Sequence, residues 1–154
     1  MGHCWSKGCI CCHKINNGDG DMSNSQSEHV KCICKCDSVH QVNTIQKWEE
    51  KLHEATKQDK IIIVNFCSSW CSPSKSIAPI YCDLADRYSS VIFLSIDTNE
   101  LRELSSSWEV KSTPTFFFLK DGRQLDKLVG ADKLELEKKT AYVISIANGS
   151  DQTR

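Results

Sequence analysis

The chain has 154 residues, of which 40% are hydrophobic and 25% charged, enough for one domain with its own core plus a modest extra segment. A formal net charge of -1 gives no electrostatic case for nucleic acid or an acidic surface, and no run approaches the ~18 apolar residues that cross a bilayer. Ten cysteines would suit a secreted disulfide scaffold, yet no apolar signal segment precedes them and seven lie before Asp37, so a reducing compartment is expected.

Residues 1–37 are dominated by Gly, Asn, Ser, Asp and Cys and cannot bury enough surface to fold alone. A flexible extension is expected there. Met1-Gly2-His3-Cys4-Trp5-Ser6 fits the myristoylation pattern, with Gly2 as acceptor and Cys4 as a neighbouring palmitoylation site. Two acyl chains would hold the chain at the cytoplasmic face of a membrane, where one is marginal. The competing reading is that Gly2 and Ser6 coincide by chance beside a bulky His3 and Trp5. Cys9, Cys11, Cys12 and His13, with Cys32, Cys34 and Cys36, form two soft-ligand clusters. Structural zinc sites usually place two or more residues between paired cysteines, and Cys-x-Cys does not, so no metal is assigned and acylated or simply exposed thiols are expected.

The folded domain is expected over 38–147. Val39 to Val42 reads as a short edge strand. Thr44 then caps a helix in which Ile45, Trp48, Leu52 and Ala55 recur at helical spacing. Ile61 to Phe66 is a continuous apolar, largely β-branched run, the signature of a central strand covered on both faces. After Cys67-Ser68-Ser69 come Trp70-Cys71-Ser72-Pro73-Ser74-Lys75 and a helix with Ile77, Ile80, Tyr81, Leu84 and Ala85 on one face. Ser and Pro suit the first helical positions, so Cys71 falls where orphan amides and the positive end of the helix dipole favour a thiolate. Pro79 lies inside that helix and should kink it. Val91 to Asp97 is the next buried strand, followed by a helix from Asn99 or Glu100 to about Trp108. Thr115 to Lys120 and Gln124 to Val129 flank Asp121-Gly122, a hairpin signal. Lys133 to about Ala147 closes the domain as an amphipathic helix, and 148–154 should fray. Strands alternating with helices, then a hairpin and a helix, imply a layered α/β sandwich around a mixed sheet.

Trp70, Cys71 and Pro73 resemble the Trp-Cys-x-Pro-Cys active-site pattern of thioredoxins, with Ser74 in place of the second cysteine. The resemblance extends to Asp97 at a strand end, to Val110-Lys111-Ser112-Thr113-Pro114-Thr115, and to Phe116 through Gly122 followed by Val129-Gly130. The wording is most similar to plant h-type thioredoxins, in particular their Cys-x-x-Ser branch with a cysteine-rich extension. It implies the thioredoxin fold, a central mixed five-stranded sheet flanked by four helices, and a cis Thr113-Pro114 bond. It also implies thiol-disulfide exchange favouring isomerisation over reduction.

One thiol suffices to open a disulfide and form a mixed disulfide, but Ser74 cannot release it. Release must come from the substrate's own second thiol, from glutathione, or from another cysteine of the chain. The expected roles are Cys71 as nucleophile and Ser74 as hydroxyl donor to its thiolate or cap of backbone groups. Trp70, Ser72 and Pro73 are expected to contact substrate, and Thr113 and Pro114 to present backbone to an extended substrate strand. Cys67 is either a packed core thiol or an internal resolving thiol. Cys82, three helical turns beyond Cys71, should be too far away. Thioredoxins usually carry a buried Asp where this chain has Asn65; either the base has left along with the thiol it served, or a neutral residue is simply better tolerated in a buried place. A monomer is expected, with disulfide- or thiol-containing proteins as partners and no cofactor, since no Gly-rich phosphate loop follows any strand. The alternatives are a partner-binding or membrane-adaptor module without turnover, or a metal or iron-sulfur carrier using the amino-terminal cysteines.

Overall fold

The computed structural model describes residues 36–152, with side chains to 149. Gly2, Cys4 and the other extension cysteines up to Cys34 lie outside the described residues, so the acylation and flexibility expected of that segment concern residues not described. In chain order the elements are β1 (Val39–Gln41), α1 (Ile45–Lys57), β2 (Ile61–Cys67), α2 (Ser72–Arg87), β3 (Ile92–Asp97), α3 (Arg102–Ser107), β4 (Thr115–Lys120), β5 (Arg123–Val129) and α4 (Lys133–Gln152). The sheet order is β1-β3-β2-β4-β5. β1 and β2 both pair parallel with β3, whereas β4 runs antiparallel to β2 and β5. The expected mixed five-stranded sheet with four helices is therefore the observed one.

All seven residues of β2 are buried, because the strand is central and both of its faces are covered. Its side chains alternate between two cores, as the period-2 geometry of a strand requires. Ile61, Ile63 and Cys67 join Ile77, Tyr81 and Leu84 of α2, Phe116 and Phe118 of β4, and Leu136 and Val143 of α4. Ile62, Val64 and Phe66 join Trp48 and Ala55 of α1, Leu104 of α3 and Phe117 of β4. The same alternation puts Asn65 on the α2 side of the sheet, opposite Ser95 of β3 and Phe116 of β4.

Local chemistry sets the element ends. Thr44 caps α1, its side chain accepting from the Lys47 amide at 3.0 Å. Asp121 and Gly122 both have positive φ, 53° and 78°, as a two-residue hairpin turn with the twist of the flanking strands demands. Pro79 stands inside α2, which continues to Arg87 despite the lost donor.

Apart from strand ends that move by one residue, the structure differs from the sequence reading in three places. The buried stripe of α1 begins at Trp48, because Ile45, the first helical residue, is 43% exposed. The helix expected from Asn99 or Glu100 starts only at Arg102. Asp97 takes the intervening chain instead: its carboxylate accepts from the Asn99 amide at 2.8 Å and its carbonyl from Glu100 and Leu101 at 2.9 and 3.1 Å. At the other end α4 runs past Ala147 to Gln152, so most of the segment expected to fray is helical. Among the described residues no helix is long and apolar enough to cross a membrane.

Candidate active site

The site forms where the central strand β2 hands the chain to α2. Cys71 is the N-cap residue, in an extended conformation with φ -95° and ψ 115°, and Pro73 occupies the first turn. Ser68 organises the connection. Its carbonyl accepts from the Cys71 amide at 3.1 Å, its hydroxyl accepts from the Trp70 amide at 3.3 Å, and its own amide donates to the Ser74 Oγ at 3.4 Å. Asn99, in the connection after β3, donates to the same hydroxyl from its Nδ2 at 3.5 Å. Neither Ser68 nor Asn99 stood out in the sequence, because small polar residues between a strand and a helix read only as a connection.

The Cys71 sulfur is half-buried and lies 3.0 Å from the Thr113 carbonyl, which accepts from the thiol. Burial pushes the Cys71 thiol up. That effect is outweighed by hydrogen bonds from the Thr113 side chain and from the Ser74 backbone and hydroxyl, so the thiol ionises below its ordinary value of 9.0. The carbonyl contact belongs to the protonated form, whereas these donors and the dipole of α2 favour the ionised one. Ser74 has no exposed surface and stands one turn after Cys71, positioned as a donor to the thiolate and as acceptor for the Ser68 amide. Of the two roles the sequence left open for Ser74, the Ser68 amide contact is of the capping kind.

The other expected site residues gather here as well. Trp70 is 77% exposed beside the sulfur, and Ser72 and Pro73 are exposed on the first turn. Thr113 is half-buried and Pro114 buried, joined by a cis peptide bond, and the Pro114 carbonyl accepts from the Gly130 amide at 2.9 Å. Cys67 is fully buried, its sulfur 3.5 Å from the Ile96 carbonyl and 3.6 Å from the Ser95 hydroxyl. Asn65 is 1% exposed, and among the described residues neither its Nδ2 nor its Oδ1 has a partner. Such an unpaired buried amide costs about 1–3 kcal/mol. No group of three or more His, Cys, Asp or Glu among the described residues is placed to hold a metal.

A direct consequence concerns reactivity. Alkylation of Cys71 by iodoacetamide should rise with pH and level off with a midpoint below 9.0. Removing a donor to the charged form raises a thiol's pKa, so Ser74→Ala should move that midpoint upward; stopped-flow or mass-resolved alkylation across pH 5–10 measures it. An unchanged midpoint would mean that the Ser74 hydroxyl does not act on the sulfur.

A thioredoxin family model matches residues 38–141. The chain is 52% identical over 138 residues to the thioredoxin-like protein CXXS2 of Arabidopsis thaliana, covering 90% of this chain and 86% of that one. It is 57% identical over 103 residues to the putative thioredoxin H10 of the same plant, 67% of each chain. Among solved structures, a mutant of a poplar thioredoxin h matches with a TM-score of 0.72 at 48% identity, over 76% of this chain and 89% of that one. The wild-type poplar thioredoxin h matches at 0.68 and 51%, over 70% and 96%. With Cys71 on the first turn of α2 and the cis bond of Thr113 and Pro114 beside it, the chain belongs to the thioredoxin family of thiol-disulfide oxidoreductases, among plant h-type relatives.

Proposed function

We propose that this chain is a monothiol exchange protein that favours isomerisation of protein disulfides and reduces them poorly. The observation that carries this reading is the pairing of a half-buried, thiolate-favouring Cys71 with a fully buried Ser74 at the position one turn on. Cys71 attacks a substrate disulfide, forming a mixed disulfide and releasing one substrate thiolate. Serine forms no sulfur-sulfur bond, so the intermediate waits for another thiol. Where the substrate's own freed thiol attacks a different sulfur and expels Cys71, the net result is a rearranged disulfide with no electrons consumed. Glutathione is the alternative resolving thiol: by attacking the substrate sulfur of the mixed disulfide it expels the Cys71 thiolate and leaves the substrate with one free thiol and one mixed disulfide to glutathione.

The exposed Trp70 indole and the Ser72-Pro73 turn offer a contact surface for an extended substrate segment, and the Thr113 backbone offers strand-like pairing beside Cys71. In this reading the protein acts as a monomer on disulfide- or thiol-containing proteins. It works in the cytoplasm, held at a membrane face when Gly2 and Cys4 carry acyl chains. Intact mass spectrometry of the protein from its native cells tests that last part, with added myristoyl and palmitoyl masses as the expected result and an unmodified mass as the contrary one.

The function itself is tested by a paired assay on the full chain: refolding of a scrambled disulfide protein, and dithiol-driven reduction of an interchain disulfide. Isomerisation is expected to be readily measurable and reduction near background. Cys71→Ser should lower isomerisation by about 100-fold or more, as removal of a covalent nucleophile does. Partner capture that survives Cys71→Ser, with no isomerisation by the native chain, would favour a binding module instead.

A further inference from the structure

Outside the active site, among the described residues, the side chains of Cys36 and Cys82 are brought together across 46 residues of sequence. Cys36 stands just before β1 and Cys82 three turns into α2, and their sulfurs lie 2.7 Å apart, the Cys36 thiol donating to the Cys82 sulfur. We propose that Cys36 and Cys82 form a second redox pair that closes to a disulfide and fastens the root of the amino-terminal extension to α2.

The placement is built by more than the two sulfurs. Ser38 donates to the Asp86 carboxylate at 2.5 Å, and Cys82 and Asp86 are four residues apart, on one face of α2. The Val39 amide donates back to the Cys36 carbonyl at 3.3 Å, turning the chain into β1. The segment 36–38 thus meets α2 at two successive helical turns, and Cys36 packs against the core that contains Tyr81 and Cys82. Closing the bond requires the sulfurs to approach by only about 0.7 Å, to the ~2.05 Å of a disulfide.

The two cysteines differ in access, which sets the order of events. Cys36 is half-buried whereas Cys82 has no exposed surface, so an oxidant meets Cys36 first. Once Cys36 ionises the Cys82 thiol donates in return, and that bond, stronger than the opposing effect of burial, holds the Cys36 thiol below its ordinary value, the Ser38 and Val39 amides adding to it against the Asp86 charge. The oxidant is a small disulfide R–S–S–R of the glutathione disulfide class. The Cys36 thiolate attacks it, forming Cys36–S–S–R and releasing RS⁻; the Cys82 thiolate then attacks the Cys36 sulfur and releases the second RS⁻. Two protein thiols lose two electrons, the small disulfide gains them, and the two thiol protons leave on two RSH. Cys71 takes no part: eleven residues of helix, about 16 Å, separate it from Cys82.

The test uses the reduced full chain, equilibrated with mixtures of glutathione and glutathione disulfide, acid-quenched, alkylated and digested without reduction. The expected product is a Cys36–Cys82 cross-linked peptide, formed under native conditions while Cys71 stays open to alkylation. The bond closes a loop of 46 residues, so the oxidised chain should melt roughly 10 °C above the reduced one. That gain should vanish in Cys36→Ser, a substitution at a half-buried position that leaves the helix core intact, and in a chain treated with dithiothreitol. Recovery of Cys36 or Cys82 in bonds to other cysteines, recovery of Cys36 only as its glutathione adduct, or equal melting of oxidised and reduced chains would each overturn the proposal.

Discussion

Ser74→Cys should raise net disulfide reduction by about 100-fold or more, with isomerisation by the same chain falling as reduction competes for the mixed disulfide. The magnitude follows from proximity: a thiol held one turn from Cys71 competes at an effective concentration far above that of any thiol in solution. The position suits it, since Ser74 is buried while Cys71 is open, so the new thiol would be shielded until the mixed disulfide forms. The gain should be limited by Asn65. An amide cannot take up a proton as a carboxylate can, and this one already sits buried and unpartnered among the described residues. Asn65→Asp added to Ser74→Cys should therefore increase reduction further, and insulin-type turbidity kinetics on the single and double variants distinguish the two contributions. A folded Ser74→Cys chain without any gain would show that the resolving thiol is not what this site lacks.

A second large effect is structural. Phe117 of β4 is 2% exposed and sits between Phe66, at 5.5 Å centroid to centroid, and Trp108, at 5.0 Å, both near edge-on. Trp108 in turn meets Trp48 at 5.8 Å, so one aromatic chain ties α1 and the end of α3 to the two central strands. The Lys127 ammonium lies over the Phe117 ring, 5.4 Å from its centroid. Phe117→Ala should cost about 3–5 kcal/mol, because the surrounding rings cannot collapse into the space. A fall in Tm of roughly 15 °C is the expected reading in calorimetry or thermal circular dichroism. Conversion to Leu should cost much less, and equal losses for both variants would place the effect outside ring packing.

Much of this was legible in the chain itself, for reasons that differ from element to element. The run from Ile61 announced the central strand because both of its faces are covered, leaving no polar position to obscure the pattern. Asp121-Gly122 announced its hairpin through backbone conformation alone. The start of α3 was not legible, because Asn99 and Glu100 have acceptable helix-start chemistry and only the Asp97 carboxylate, reaching forward two residues, diverts the chain. The end of α4 was missed because the last residues of a chain are expected to fray, yet the helix continues to Gln152.

At the site, spacing brought Trp70, Cys71, Pro73 and Ser74 to one helix start, and the motif around Pro114 suggested the opposing loop. What spacing could not convey was that Ser68 would bind four neighbours through amide, carbonyl and hydroxyl. Nor could it convey the meeting of Cys36 with Cys82, a contact across 46 residues. Such contacts arise only from the way β1 and α2 pack on the same sheet.

In the proposed cycle the Cys71 sulfur alone forms the covalent intermediate and is released by the substrate rather than by residue 74. Acid-quenched intact mass spectrometry during turnover of a scrambled disulfide substrate tests it most directly. A substrate adduct mapped to Cys71 should build up and decay as native substrate appears, and Ser74→Ala should slow that decay only by the amount that a higher pKa of the leaving Cys71 thiol does, without abolishing it. Turnover at an undiminished rate with no adduct on Cys71, or turnover that persists in Cys71→Ser, would contradict it.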